Sequence, residues 1–115
     1  SNTLTDSDGD YSDWIELYNP TADVVDLQGW TLTDNKSNPK KWTFPKVMIP
    51  ADGYLVLFAS GKDRAVSGQE LHTNFKIKGD GEYFALSDPA GKVITKFDPG
   101  FPIQQIDVSY AYFEK

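Results

Sequence analysis

The stretch DWIELYNP, residues 13–20, decides the fold class. Its first six residues alternate, so that Ile15 and Leu17 lie on one face of an extended chain and polar or aromatic side chains lie on the other. Asn19-Pro20 then ends the run, because proline cannot donate a hydrogen bond to a sheet ladder. We therefore predict a β-strand with one buried face over residues 13–18.

Similar short apolar runs recur along the chain, separated by turn residues: PADG at 50–53, GDG at 79–81, DPAG at 88–91 and DPG at 98–100. The run YLVLFA, residues 54–59, is apolar on both faces, which predicts a central strand covered on both sides. Helical signal is weak, since only residues 61–71 have the length and polarity for a loop or one helical turn. Turns spaced by about 8–12 residues are typical of an all-β sandwich or barrel. Further strands are predicted at residues 24–27, 30–33, 42–44, 74–77, 83–86, 92–97 and 107–110.

The composition is that of one globular domain without a disulfide framework. The chain has 115 residues, of which 39% are hydrophobic and none is cysteine, so thiol catalysis and zinc–thiolate sites are excluded. The net charge of −6 argues against nucleic acid as a main partner, and against a polybasic contact with anionic lipid.

The sequence contains no apolar stretch near ~18 residues and no signal-peptide pattern, so we expect no membrane insertion. It begins abruptly at Ser1-Asn2. We therefore expect residues 1–115 to be a single domain excised from a larger multidomain protein.

The string DSDGDYSD, residues 6–13, has the most chemical character in the sequence. Carboxylates alternate at Asp6, Asp8 and Asp10, and a hard cation such as Ca²⁺ binds several oxygen ligands of this kind. The pattern departs from an EF-hand, because Tyr11 stands where the glycine belongs and Leu17 where the closing glutamate belongs. The alternative is a solvated turn whose aspartates cap backbone N–H groups. Ca²⁺ is the only cofactor that the sequence offers.

The single histidine, His72, alternates with Asn74 and Lys76, so the three could share one strand face as a polar recognition patch. Alternatively, His72 is a loop residue at a strand edge and Lys76 a solubilising charge. Ser60, His72 and Asp63 supply the residue types of a hydrolytic triad, but no Gly-x-Ser-x-Gly elbow accompanies them. We therefore predict no catalytic residues and no enzymatic activity.

Aromatic residues offer a second class of binding site, because their faces can stack on a ligand. Trp30 and Trp42 share faces with apolar neighbours and are predicted to be core residues. Trp14, Glu16 and Tyr18 lie on the face opposite the buried one of the first predicted strand. They are the candidate ligand-binding residues, together with His72 and Asn74 of the polar patch.

An ordered series of motifs resembles the lamin tail domain family, bacterial type. The series covers the chain from about residue 6 to 110 and consists of DWIELYN (13–19), VDLQGWTL (25–32), KWTFP (41–45), IPADGYLV (49–56), HTNFK (72–76), and GE (81–82) followed by FAL (84–86). The resemblance implies an immunoglobulin-like β-sandwich. It also implies an accessory module of a secreted, cell-surface or periplasmic bacterial protein, and a non-catalytic interaction role of the kind that the domain has in nuclear lamins.

The chain departs from the family pattern at both ends. The family commonly begins with an Ile-Asn-Glu-Ile strand, whereas only residues 1–5 precede the acidic loop here. If that strand is absent, a sheet edge lies open to another chain. At the other end, the family's Ser-Tyr-Gly-Arg reads SYAY, residues 109–112.

The sequence thus predicts a non-catalytic module that binds a protein or glycan, or that spaces neighbouring domains. Two alternatives stay open: a structural module that self-associates through an open sheet edge, and a metal-assisted hydrolase.

Overall fold

The computed structural model describes residues 5–11, 14–76, 83–97 and 105–107. Every regular element in these ranges is a strand, and none of them contains a helix. The strands are β1 (Trp14–Asn19), β2 (Val25–Asp26), β3 (Thr31–Thr33), β4 (Trp42–Thr43), β5 (Met48–Ile49), β6 (Gly53–Phe58), β7 (Phe84–Ser87), β8 (Val93–Phe97) and β9 (Gln105–Asp107). The all-β prediction is confirmed.

The strands form three sheets, with the orders β6-β1-β9, β2-β5 and β4-β3-β7-β8. All pairings are antiparallel except that of β1 with β9, which is parallel. Because β6 and β9 lie on either side of β1, both edges of β1 are paired within the sheet.

One apolar core joins the two larger sheets, as in an immunoglobulin-like β-sandwich. Ile15 and Leu17 of β1 are fully buried, as their alternation predicts, and they belong to the same cluster as Leu32 of β3 and Leu86 of β7. Burial of each such side chain contributes about 1.5–3 kcal/mol, so this cluster is the main source of stability. Trp42 is in the core as predicted, whereas Trp30 is only partly buried and packs against the core from its margin.

Buried Asn19 at the end of β1 ties two turns to the sheet. Its side-chain amide donates to the backbone oxygens of Asp23 at 2.8 Å, Ile49 at 3.0 Å and Pro50 at 3.1 Å. Its carbonyl oxygen accepts from the backbone N–H of Thr21 at 3.1 Å. A fully buried polar side chain is tolerated here because each of its polar atoms has partners.

The turn over residues 50–53 places β6. The Gly53 N–H donates to the Pro50 oxygen at 2.9 Å, and the left-handed position is Asp52, with φ of 58°, rather than the glycine. Gly53 is required for a different reason: a Cβ there would lie 2.9 Å from the Pro50 oxygen. In the second predicted turn the glycine does take the left-handed conformation, with φ of 89° at Gly91.

The prediction of a covered central strand over residues 54–59 is wrong. β6 is an edge strand of its sheet, and two of its apolar side chains are exposed, Tyr54 by 55% and Val56 by 36%. No second layer covers these two side chains fully, so burial in the core does not explain why they are apolar.

Several predictions lie outside the described residues: Asp13, Ile77, the turns at 79–81 and 98–100, and the strand residues 108–110. Within the described ranges, no helix is long and apolar enough to cross a membrane.

Candidate functional site

The outer face of β1 and β6 carries a row of side chains that we call the aromatic strip: Trp14, Glu16 and Tyr18 of β1, and Tyr54 and Val56 of β6. Alternation places the β1 members on the face opposite the core, where all three are half-buried. The register sets Glu16 opposite Val56 and Tyr18 opposite Tyr54. The strip therefore stands on two paired strands of regular geometry, which hold its side chains in fixed relative positions.

Two tyrosines form one end of the aromatic strip. The rings of Tyr18 and Tyr54 stack with their centroids 4.7 Å apart and an interplanar angle of 24°. The Tyr18 hydroxyl donates to Asp52 Oδ1 at 2.6 Å, which fixes the ring and places a carboxylate at the rim. Exposed aromatic surface beside hydrogen-bonding oxygens suits a ligand that has both apolar faces and polar groups.

The acidic loop, residues 6–10, folds around the side chain of Asp6. Asp6 Oδ1 accepts from the backbone N–H groups of Asp8 and Asp10, both at 3.0 Å. The Gly9 N–H donates to the Asp6 backbone oxygen at 2.9 Å, and Gly9 has a φ of 86°. The loop thus contains the backbone capping by aspartate that was one of its two interpretations.

The same loop brings its three carboxylates together. One oxygen from each of Asp6, Asp8 and Asp10 lies within 4.8 Å of the others, as a cation site requires. The ammonium group of Lys62 lies among them, with Nζ 2.7 Å from Asp6, 2.9 Å from Asp8 and 2.8 Å from Asp10. Arg64 binds Asp8 at 2.7 Å. The cation seen at this position is therefore a side chain of the protein, and Ca²⁺ binding stays a prediction.

These contacts shift the ionisation of the groups involved. Hydrogen bonds to Asp10, Asp6 and Asp8 raise the pKa of Lys62. Hydrogen bonds from Arg64 and then Lys62 lower the pKa of Asp8 below its usual value. Both shifts favour the charged forms, so the loop stays ion-paired at neutral pH.

A hydrogen-bonded chain connects the acidic loop to the core through His72, which is fully buried. The Nδ1 atom of His72 lies 2.7 Å from Ser60 Oγ, and Nε2 lies 2.8 Å from Glu70 Oε1. Because the Glu70 carboxylate only accepts, Nε2 carries the proton of that bond, and Nδ1 shares a second hydrogen bond with the Ser60 hydroxyl. Glu70 Oε1 also accepts from the Ser7 backbone N–H at 2.9 Å, and Ser60 Oγ from the Lys62 N–H at 3.1 Å.

Burial acts to raise the pKa of Glu70, but hydrogen bonds from the Ser7 backbone and from His72 outweigh it, and the pKa is lowered. Glu70 is therefore a carboxylate at neutral pH, which is the state that the bond from His72 Nε2 requires.

The structure corrects two expectations for His72. His72, Asn74 and Lys76 do not form one surface patch, because the His72 side chain is buried while Asn74 and Lys76 are exposed. Asn74 instead donates to the Lys41 oxygen at 2.9 Å. In the triad-like set, Ser60 does contact His72, but Glu70 takes the place considered for Asp63.

The buried chain lacks the access that a catalytic triad needs. His72 has no exposed surface and Ser60 is only 7% exposed, so a substrate carbonyl cannot reach the Ser60 hydroxyl in this conformation. The network has a structural role, because it provides partners for buried polar atoms and connects three separate segments of the chain.

Sequence reasoning missed Lys62, Glu70 and the β6 members of the aromatic strip. Lys62 and Asp6 are separated by 56 positions, so no local pattern could pair them. Tyr54 and Val56 did give a signal, because their run is apolar on both faces, but that signal was interpreted as burial.

Comparison with known proteins identifies the family. The family model described as Lamin Tail Domain matches residues 1–100, which is most of the chain. No curated protein sequence and no solved structure matches it. The family comprises non-catalytic domains of the immunoglobulin-like fold, in agreement with the two-sheet core and with the enclosed position of His72. The chain belongs to the lamin tail domain family.

Proposed function

We propose that this domain is a non-catalytic interaction module that binds a protein or a glycan through the aromatic strip. The observation that carries the proposal is the exposure of apolar side chains on β6, with Tyr54 at 55% and Val56 at 36%, on a strand whose alternate residues build the core. An apolar face that is left open on a well-packed domain is characteristic of a binding surface.

The composition of the strip supports this class of ligand. Tyrosine and tryptophan give a large contact area at a low entropic cost, and they also hydrogen-bond at their polar ends. Glu16 and Asp52 add carboxylate oxygens beside the rings, and these can accept from sugar hydroxyls or from peptide N–H groups. A chain of net charge −6 has little attraction for polyphosphates or for anionic lipid headgroups.

We also propose that the parent protein is secreted, periplasmic or displayed on a bacterial surface. The support is the motif series of the sequence, which resembles the accessory domains of such proteins. Detection of the parent protein in the culture medium or envelope fraction is the expected result, and its confinement to the cytosol would contradict this part of the proposal.

The binding proposal is tested by selecting ligands on the wild-type domain and then measuring them on two tyrosine variants. The probes are soluble neutral polysaccharides, assayed by affinity electrophoresis, and a displayed peptide library. Tyr54→Ala removes an exposed ring from the strip, and Tyr11→Ala removes a ring that is 70% exposed elsewhere. We expect a loss of affinity of at least about tenfold for Tyr54→Ala and almost none for Tyr11→Ala, because hot spots are enriched in such aromatic anchors.

Two results would overturn the proposal. One is the absence of any selected ligand from both probe classes. The other is an equal effect of the two tyrosine substitutions, which would place the binding surface outside the aromatic strip.

A further inference from the structure

The direction of the backbone groups of β6 follows from Phe58. The Phe58 N–H donates to the Leu71 oxygen at 2.9 Å, and the Phe58 oxygen accepts from the Thr73 N–H at 2.8 Å. Both groups therefore point away from β1. In an antiparallel pair, alternate residues point their backbone groups to the same side, so those of Val56 and Tyr54 also point away from β1.

Between the 50–53 turn and Phe58, none of the described residues pairs with this outer edge of β6. Among the described residues, no hydrogen bond reaches the outward backbone groups of Tyr54 or Val56. Residues 53–59 contain no charge and no proline, and the pairing with β1 runs through Gly53–Phe58 without a register shift. Exposed edges in monomeric proteins are usually protected by lysine, proline or a bulge, and all three are missing from this strand.

We propose that β6 pairs antiparallel with β6 of a second copy of this chain, around a two-fold axis at Leu55. In this register the outward groups of Tyr54 face those of Val56 of the second copy, which forms four backbone hydrogen bonds. The two three-stranded sheets then become one continuous six-stranded sheet. The exposed side chains of Tyr54 and Val56 meet across the new pair, so apolar surface is buried as well.

Charge favours a second copy as the occupant. The strand itself is uncharged, so self-pairing sets no like charges opposite each other although the chain has a net charge of −6. The ends of β6 differ in sign. Asp52 precedes the strand. At the other end of the strand, exposed Lys76 lies beside Ser60, with which it forms a backbone β-bridge. Antiparallel pairing brings the acidic end of one copy toward the basic end of the other.

This dimer goes beyond the proposed ligand-binding function, because it uses the backbone edge of β6 rather than the faces of the aromatic rings. Ligand binding measured at domain concentrations well below about 10 μM, where the chain is expected to be monomeric, tests the proposed function, and the mass measured without ligand tests the dimer, so a failure of either proposal is seen separately. The contact is small, so we expect a reversible dimer whose population rises with concentration from about 10 μM to about 1 mM.

The first experiment is light scattering after size exclusion over this concentration range. The wild-type mass is expected to rise from 12.9 kDa toward twice that value. Val56→Pro removes an N–H that points outward, and Val56→Lys adds an edge charge. Both variants should stay monomeric, whereas Val24→Lys, which changes a valine that is 58% exposed against 36% for Val56, should behave as the wild type. A wild type that is monomeric throughout, or Val56 variants that dimerise as it does, would overturn the proposal.

The second experiment tests the register in a chain that has no cysteine of its own. A mixture of the Tyr54→Cys and Val56→Cys proteins should form a disulfide, because directly opposed residues in an antiparallel pair have Cα atoms about 5.5 Å apart. Either protein alone should cross-link several-fold more slowly, since its two cysteines are then offset by two positions. Equal rates in all three samples would refute this register.

Discussion

Replacing Ser60 with alanine removes the hydroxyl that connects His72 to the backbone of the 60–64 segment. In the wild type, Ser60 Oγ and His72 Nδ1 form a buried hydrogen bond of 2.7 Å. The same oxygen accepts from the Lys62 N–H at 3.1 Å in a partly buried position. The substitution leaves His72 Nδ1 without its hydrogen-bond partner inside the protein, while the Lys62 N–H can turn to water.

The expected loss follows from these two environments. An unsatisfied buried donor or acceptor costs about 1–3 kcal/mol, and the partly buried bond adds little, so the free energy of unfolding should fall by about 2 kcal/mol. For 115 residues the entropy of unfolding is about 0.24 kcal/mol/K, so the Tm should fall by about 8 °C.

Differential scanning calorimetry with a matched serine control measures this effect. Ser67 also donates one short hydrogen bond, to the Lys46 oxygen at 2.6 Å, but it is exposed. Ser67→Ala should therefore change the free energy of unfolding by less than about 0.5 kcal/mol. In a His72→Leu background, Ser60→Ala should cost about 1–2 kcal/mol less than in the wild type, because its partner is already gone.

The reasoning would be refuted if Ser60→Ala and Ser67→Ala lowered the Tm equally. A different result would contradict the structural role itself: a hydrolytic activity of the wild-type domain that Ser60→Ala abolishes without a change in Tm. That outcome would show that Ser60 and His72 become accessible to substrate.

Three further predictions concern the buried amide and the acidic loop. Asn19→Ala leaves up to three backbone oxygens without their donor, so the free energy of unfolding measured by urea titration should fall by about 3 kcal/mol. Asn35 is exposed and also forms a side-chain hydrogen bond, so the control Asn35→Ala should change the free energy of unfolding by less than about 1 kcal/mol. The pKa values of Glu70 and Asp8 lie below their ordinary values of 4.5 and 3.8, so the two carboxylates contribute fully to stability above those values, and this contribution is lost as the pH falls through their lower folded pKa values. The urea concentration at the unfolding midpoint should therefore decrease once the pH is below about 4.5. A midpoint that stays unchanged down to about pH 3 would contradict this prediction. Lys62→Met removes the ammonium group that would compete with Ca²⁺ for the three carboxylates. Titration calorimetry should therefore show Ca²⁺ binding at least about tenfold tighter in this variant than in the wild type. Equal binding by the two proteins would show that Lys62 does not occupy the cation position.

The sequence predicts best where structure depends on neighbours in the chain. Alternation in residues 13–18 predicted the buried face of β1 correctly, because a strand presents successive side chains to opposite faces. The same local chemistry predicted the 88–91 turn with its left-handed Gly91. Even the three carboxylates of the acidic loop could be expected to converge, since they alternate within five residues.

Long-range contacts explain what could not be predicted. Glu70 reaches Ser7 across 63 positions, and Lys62 reaches the acidic loop across more than 50, so no sequence window contains both partners. His72 shows the consequence, because a lone histidine between polar residues appears exposed until the partners that satisfy both of its nitrogens are known.

β6 poses a different problem, since the ambiguity lies in the physics of the pattern. An apolar run on both faces is expected for a strand that lies between two layers, and equally for an edge strand that pairs with another chain. In both cases the two apolar faces are removed from water, in the first by the fold and in the second by the intermolecular contact. The resolution for residues 54–59 comes only from the exposed fractions of Tyr54 and Val56. The apolar sequence of β6 therefore supports the proposed intermolecular contact as well as the fold.

The distribution of charge separates the two surfaces that could serve a partner. In the acidic loop, Lys62 and Arg64 already bind the carboxylates of Asp6, Asp8 and Asp10, so an incoming cation or basic peptide must displace ion pairs that the fold provides. At β6 a partner displaces only water, both from apolar side chains and from backbone groups that have no protein partner among the described residues. Because binding is favoured where few existing interactions must be broken, this comparison supports the proposed use of the β6 side for recognition and assigns the acidic loop a structural role in holding the adjoining segments in place.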